Sequence, residues 1–145
     1  MKYEEPDQCL PISNAKEFVQ GLVDEFGSQI SSKNIQGILD AHTSDSLTIP
    51  SVPPYSPENG FIQNVPGGSK DLAEFFSNVA NSGFERLTTE SVVQEGCVLH
   101  EIGLISPPNI RYYNRWEKEG GKYKIKFENL LFQPPKQEST TSLYN

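Results

Sequence analysis

The chain has 145 residues, 35% of them hydrophobic and 21% charged, with a net charge of −7 and a pI near 4.8. That length buries one sizeable core rather than two, and the acidic balance excludes a phosphate-tracking nucleic-acid binder, which needs clustered Lys and Arg. No run approaches the ~18 apolar residues of a membrane span. The opening MKYEEPDQCLPIS places acidic residues and an early proline where a secretory leader has basic residues and an apolar run, so a cytoplasmic location is the expectation.

Residues 1–12 are polar and read as a flexible tail. Ser13 or Asn14 then caps a helix, Asn14 with Glu17 in capping-box spacing. Phe18, Leu22 and Phe26, flanked by Val19, Val23 and Ile30, form an apolar stripe that carries the helix to about Ile30. Ile35, Ile38 and Leu39 predict a second, shorter helix ending near Ala41. After a turn over His42 to Ser46, Leu47 to Val52 reads as a strand, and Phe61 to Val65 as a short return strand beyond the loop PPYSPENG. Leu72, Phe75, Phe76 and Val79 at i, i+3, i+4 and i+7 predict a third helix, closed near Gly83.

From Phe84 the hydrophobic period changes from 3.6 to 2. Four strands are predicted, at about 84–95, 97–106, 110–119 and 122–132, with turns at Gly96, at Pro107 to Asn109 and at Gly120 with Gly121. Helices followed by an antiparallel meander make one α+β domain over 13–132 with its helices on one face of the sheet. The segment 133–145 has the composition of a second flexible tail. Cys9 and Cys97 fall in the first tail and in a strand, too few for a disulfide framework.

Several segments, in this order, resemble the nuclear transport factor 2-like superfamily in its SnoaL-like branch. NIQGILDAHTSDSLTIP is similar to its short helix and following strand, with Asp45 at the usual Asp and His42 where a Tyr is usual. GGSKDLAEFFSNV resembles the Phe-rich third helix, GCVLHEIG a strand that carries Glu101 and Gly103, and YYNRWEKEGGKYKIKFEN the terminal hairpin, with Trp116 in register and Tyr123 replacing a second Trp. The resemblance implies a cone made by a strongly bent sheet and three helices (a cystatin-like roll), often dimeric through the outer sheet face. It implies little about chemistry, because the superfold hosts isomerases, cyclases, dehydratases and transport adaptors.

Strand alternation assigns faces independently of any resemblance. Tyr123, Ile125, Phe127 and Asn129 are expected inward, opposite Lys124, Lys126 and Glu128. Arg111, Arg115 and Glu117 on the wet side place Tyr112, Asn114 and Trp116 inward. Val98, Ile102 and Leu104 are expected to face inward with His100 among them, and Glu101 outward. The expected pocket therefore offers His100, Tyr112, Asn114, Trp116 and Asn129, joined by Tyr55 from the mouth loop, to a small hydrophobic molecule.

His100 is the candidate acid or base; the alternative is a core histidine satisfied by Tyr112 or by a backbone group. Asp45 reads as a local backbone cap. No inward pair of acids is expected, which disfavours a steroid-isomerase arrangement. Two distant histidines without a Cys pair make no recognisable metal site, and no nucleotide-binding loop or serine elbow is present, so neither a metal nor a cofactor is expected. Three readings stand: a ligand-binding homodimer contacting through Tyr113, Leu99 and Ile105, a cofactor-free enzyme using His100, and an interaction adaptor using the loop from Pro53 to Gly60.

Overall fold

A computed structural model describes residues 9–51, 65–67, 70–81, 83–106 and 109–131. The change of period at Phe84 marks the change of architecture. The helices α1 (Ala15–Ser31), α2 (Ile35–Asp40) and α3 (Lys70–Asn81) share the N-terminal part of the chain with β1 (His42–Ser51) and the two-residue β2 (Val65–Pro66). The meander β3 (Arg86–Glu95), β4 (Val98–Ser106), β5 (Ile110–Glu119) and β6 (Lys122–Leu131) follows. All join one six-stranded sheet in the order β2-β1-β6-β5-β4-β3. Neighbours are antiparallel except β1 and β6, which run parallel and carry the helical half of the chain into the sheet.

The α1 stripe buries Val19, Val23, Phe26 and Ile30 against the inner face of the sheet, while Phe18 lies at its edge, half out of the core and packed edge-on against Tyr123. Ile38 of α2 and Leu72 and Phe76 of α3 complete the helical layer, and Leu99, Ile105, Tyr112, Trp116, Ile125 and Leu130 meet it from the strands. Asn14 does precede α1, but its backbone is left-handed (φ 56°) and its side chain makes no capping bond, so the capping-box expectation fails; the cap with a working side chain is Asn34, which accepts from the Gly37 amide.

Three irregularities bend the sheet. Glu90 is an extra residue in β3 between the pairs Thr89↔Gly103 and Ser91↔Ile102. Lys126 is extra in β6 between Trp116↔Ile125 and Arg115↔Phe127. Beside it, β1 skips from His42↔Ile125 to Leu47↔Phe127, so the chain from Thr43 to Ser46 loops outward within the strand. Bulges of this kind kink a strand and increase its twist. Lys126 and Asp45 form an ion pair that joins two of them. Asp45 also accepts from Thr43 Oγ1, and these two partners hold its carboxyl below the usual carboxylate range.

The two cysteines meet, contrary to their sequence reading: Cys9 and Cys97 form a disulfide across 88 residues. Its neighbourhood holds the chain from Cys9 to Ile12, expected as tail, against the β3–β4 turn. Gln94 donates to the Leu10 carbonyl and accepts from the Ile12 amide. Closing a loop of that size restricts the unfolded chain and is worth about 2–4 kcal/mol. Reduction, or Cys9→Ser, is therefore expected to lower the unfolding free energy obtained from urea denaturation by that amount; an unchanged free energy would show that the cross-link adds nothing.

Candidate functional site

Each strand of the meander places alternate residues on the inner face, but the alternation is reset at each bulge. In β4 the inward set is Leu99, Glu101, Gly103 and Ile105, all buried. This corrects the sequence reading, which turned that strand the other way. Both alternating sets of β4 are rich in aliphatics, so hydrophobicity does not separate them; pairing to β5 does, because Asn114 and Tyr112 face inward and oppose Glu101 and Gly103. Leu99 and Ile105, expected on the outer face, are core residues, and Val98, Ile102 and Leu104 are half-buried on the outside.

In β6 the first half behaves as expected, with Ile125 buried opposite Trp116. The extra residue Lys126 then inverts the strand. Phe127 and Asn129 pair with Arg115 and Tyr113 on the outer side, and Glu128 and Leu130 turn inward. Asn129 is therefore not a pocket residue. Nor is His100. It lies on the outer face, stacked on Tyr113 with ring centroids 6.0 Å apart; Nδ1 is 2.7 Å from the Tyr113 hydroxyl and Nε2 3.0 Å from Glu95 Oε1. Tyr55 lies outside the described residues. Tyr112, Asn114 and Trp116 are inward and at most 2% exposed.

What the inner face holds is a row of buried polar groups across four strands: Glu101 on β4, Asn114 on β5, Glu128 on β6 and Thr48 on β1, paired in register. An inward pair of acids, which the sequence reading did not find, is thus present. Glu101 Oε2 accepts from the Tyr112 hydroxyl at 2.6 Å and from Thr89 Oγ1 at 2.8 Å; Oε1 accepts from Trp116 Nε1 at 2.9 Å. Burial pushes the Glu101 carboxyl above the usual carboxylate range, and the bonds from Tyr112, Trp116 and Thr89 oppose that push. The Tyr112 hydroxyl, buried against Glu101, is held far above its ordinary value and stays a phenol.

Glu128 Oε1 accepts from Thr48 Oγ1 and lies 3.1 Å from His42 Nε2. The other ring nitrogen of His42 is 2.8 Å from the Ile38 carbonyl, an acceptor only, so Nδ1 carries a hydrogen. His42, read as part of a turn, is instead the first residue of β1, enclosed by Phe26 and Phe76.

Gly103 makes the row possible. A Cβ built there would lie 2.3 Å from Tyr112 Cζ and 2.7 Å from the Thr88 carbonyl, so only glycine lets the Tyr112 ring lie across β4 to reach Glu101. Gly103→Ala is expected to displace that ring and cost at least about 1–3 kcal/mol, the range for stranding a buried polar group. Thermal unfolding measures the cost; a variant as stable as the parent would show that the ring has room elsewhere.

Next to the row, a cleft of about 220 Å³ opens between α1, α2 and the β5–β6 hairpin. Its lining is mixed: Leu22, Phe26, Ala41, Trp116 and Tyr123 are apolar or aromatic, and Glu25, Gln29, Asp40, Lys122 and Lys124 are polar or charged. The indole of Trp116 faces this cleft while its Nε1 is tied to Glu101. No group of three or more metal-ligating side chains occurs among the described residues.

No family model matches the chain, and no curated protein matches it. Solved structures do. A domain of unknown function with a cystatin-like fold from Nostoc punctiforme superposes with a TM-score of 0.64 at 10% identity, over 92% of this chain and 86% of that one. The fold is nuclear transport factor 2-like. Two further structures agree on it. An NTF2-like protein of unknown function from Shewanella baltica gives a TM-score of 0.59 at 10% identity, covering 86% of this chain and 99% of the other. An NTF2-like protein from Cytophaga hutchinsonii gives 0.55 at 12%, covering 82% and 98%. The likeness is to the superfold and does not single out the SnoaL-like branch. At such identities it carries the architecture to this chain and no activity.

Proposed function

We propose that the protein binds a small, flat molecule with apolar and polar edges in the cleft floored by Trp116, and does so as a homodimer. The observation that carries this reading is the cleft itself: aromatic and aliphatic side chains interleaved with charged ones, around a floor residue fixed from behind by a buried carboxyl. A concave site that combines aromatic surface with placed polar groups is a usual form for small-molecule binding. Its volume suits a ligand of roughly ten non-hydrogen atoms, given that drug-sized ligands fill ~300–1,000 Å³.

Support for the dimer comes from the outer sheet face. Leu47 and Phe127, then Ile49, Tyr113 and Ile102, lie in paired rows across the strands, and Val93 on β3 is 63% exposed. Leu104 extends the patch, while the pairs Arg111–Glu90 and Arg115–Glu117 break it up. An exposed face that mixes aliphatic and aromatic side chains with charged ones is the form of a protein contact.

The enzyme reading loses its residue, because His100 lies on the opposite side of the sheet from the cleft. Glu101 does not replace it: the carboxyl is wholly buried and its oxygens already face Tyr112, Thr89 and Trp116. The loop from Pro53 to Gly60, on which the adaptor reading rests, lies outside the described residues.

Trp116 is the single tryptophan of the chain, so its emission reports on the cleft directly. Titration of the protein with aromatic and alicyclic metabolites is expected to shift that emission saturably, and Leu22→Phe, which fills the cleft, to weaken the hit tenfold or more. In sedimentation, Ile102→Glu is expected to convert dimer to monomer. An emission that no compound moves, or a hit that Leu22→Phe leaves unchanged, would overturn the ligand site, and a wild-type monomer would overturn the dimer.

A further inference from the structure

The carboxamide of Asn114 lies between the two buried carboxyls, and its hydrogen-bond inventory is limited. One end of the amide is 3.2 Å from the Tyr113 carbonyl and 3.3 Å from Glu128 Oε2; the other is 3.4 Å from Glu101 Oε1. The Tyr113 carbonyl can only accept, so the NH2 group belongs at the Tyr113 and Glu128 end. The amide oxygen then faces Glu101 Oε1. Across 3.4 Å two bare oxygens repel weakly, and a hydrogen on Glu101 turns that into a long, weak attraction; the amide oxygen cannot carry one.

The rest of the network is consistent with one assignment. Glu128 accepts from Thr48 Oγ1 at Oε1 and from the Asn114 amide at Oε2. With His42 Nδ1 committed to the Ile38 carbonyl, the 3.1 Å contact between Glu128 Oε1 and His42 Nε2 holds one proton shared between the two groups. Glu101 has neither such a base nor a cationic partner among the described residues. Among the described residues, the ion pairs of Lys and Arg go to Asp45, Glu90, Glu117 and Glu119. The titratable groups that touch the row from the strands around it are Tyr112, held as a phenol, and His42.

We propose that Glu101 is held as a neutral carboxylic acid, its Oε1 hydroxyl donating to the Asn114 amide oxygen while accepting from Trp116, and that the inner row is a proton-dependent latch across β4, β5 and β6. In this form every polar group of the row is satisfied and the row is electrically neutral. On deprotonation the Glu101 proton leaves to solvent as the inner face opens. The single donor end of Asn114 cannot then serve both acids, so the Glu101–Asn114 contact is lost and the bonds from Tyr112 and Trp116 are left to hold Glu101.

The direction of the pH dependence follows. A folded-state acid raised above its unfolded value binds more protons in the native state than in the unfolded one, so its contribution to stability is full at acid pH and is lost as pH rises towards the folded-state value. Glu101→Gln cannot lose that proton. An amide in place of a hydroxyl carries a fixed cost, because its NH2 cannot accept from Trp116, but the cost does not vary with pH. The melting temperature of Glu101→Gln minus that of the wild type is therefore expected to rise steadily from about the ordinary glutamate value of 4.3 upward.

Carboxyl carbon NMR of the wild-type protein gives a second measurement that does not depend on the variant folding. The Glu101 signal is expected to stay at its protonated position where surface glutamates have ionised. Parallel melting curves for the two proteins, or a Glu101 carbon that titrates together with the surface acids, would overturn the proposal.

Discussion

A carboxyl group taken out of water must be given donors, a cation or a proton. Two of them stand on the inner face of this sheet, and the surrounding structure is arranged to meet that demand. Gly103 gives up its side chain so that the Tyr112 ring can cross β4. The Trp116 indole points its only hydrogen-bond donor at Glu101. His42 and Thr48 reach Glu128 from β1, which runs parallel to β6, and the Ile38 carbonyl of α2 fixes which nitrogen of His42 remains for that contact. The helix-to-sheet junction, the β4–β5 pairing and the floor of the cleft are thereby parts of one hydrogen-bonded assembly.

That assembly depends on where the strands are irregular. A one-residue insertion reverses every side chain beyond it. Without Lys126 as the extra residue, Glu128 would turn to the outer face, and Phe127 would take its place opposite Asn114. The bulge is anchored from outside, where Lys126 meets Asp45 in the loop that β1 makes at the same level. The two adjacent irregular segments are tied together at the surface by that charge pair, while Ser46 Oγ beside them is buried with no partner among the described residues.

The helices, the change of period and the turns of the meander were legible in the sequence because each rests on local chemistry: an apolar stripe, a Gly-Gly turn in which both residues have positive φ, a proline pair. The inward placement of Tyr112, Asn114 and Trp116 was legible too, since Arg111, Arg115 and Glu117 mark the wet side of β5. Glu101 and Glu128 were not. In β4 both faces carry aliphatics, so the strand has no polar side to read, and the information sits in its register with β5. In β6 the run KYKIKFEN alternates without a fault across the very residue that breaks the alternation, because Phe127 finds an apolar environment on the outer face. The Cys9–Cys97 contact joins segments 88 residues apart and leaves no trace in either local pattern.

Apolar side chains on both faces of β4 and β6 leave the sheet with a buried polar row on one side and half-buried apolar side chains on the other. The two histidines report on those sides separately, since His42 belongs to the inner row and His100 to the outer face. Two-bond proton–nitrogen NMR of the uniformly labelled protein resolves both rings. The account predicts that the ring hydrogens of His42 exchange slowly with solvent and that those of His100 exchange rapidly. A His42 ring whose hydrogens exchange freely, or a His100 ring protected like a core residue, would contradict the assignment of the sheet's faces on which everything else rests.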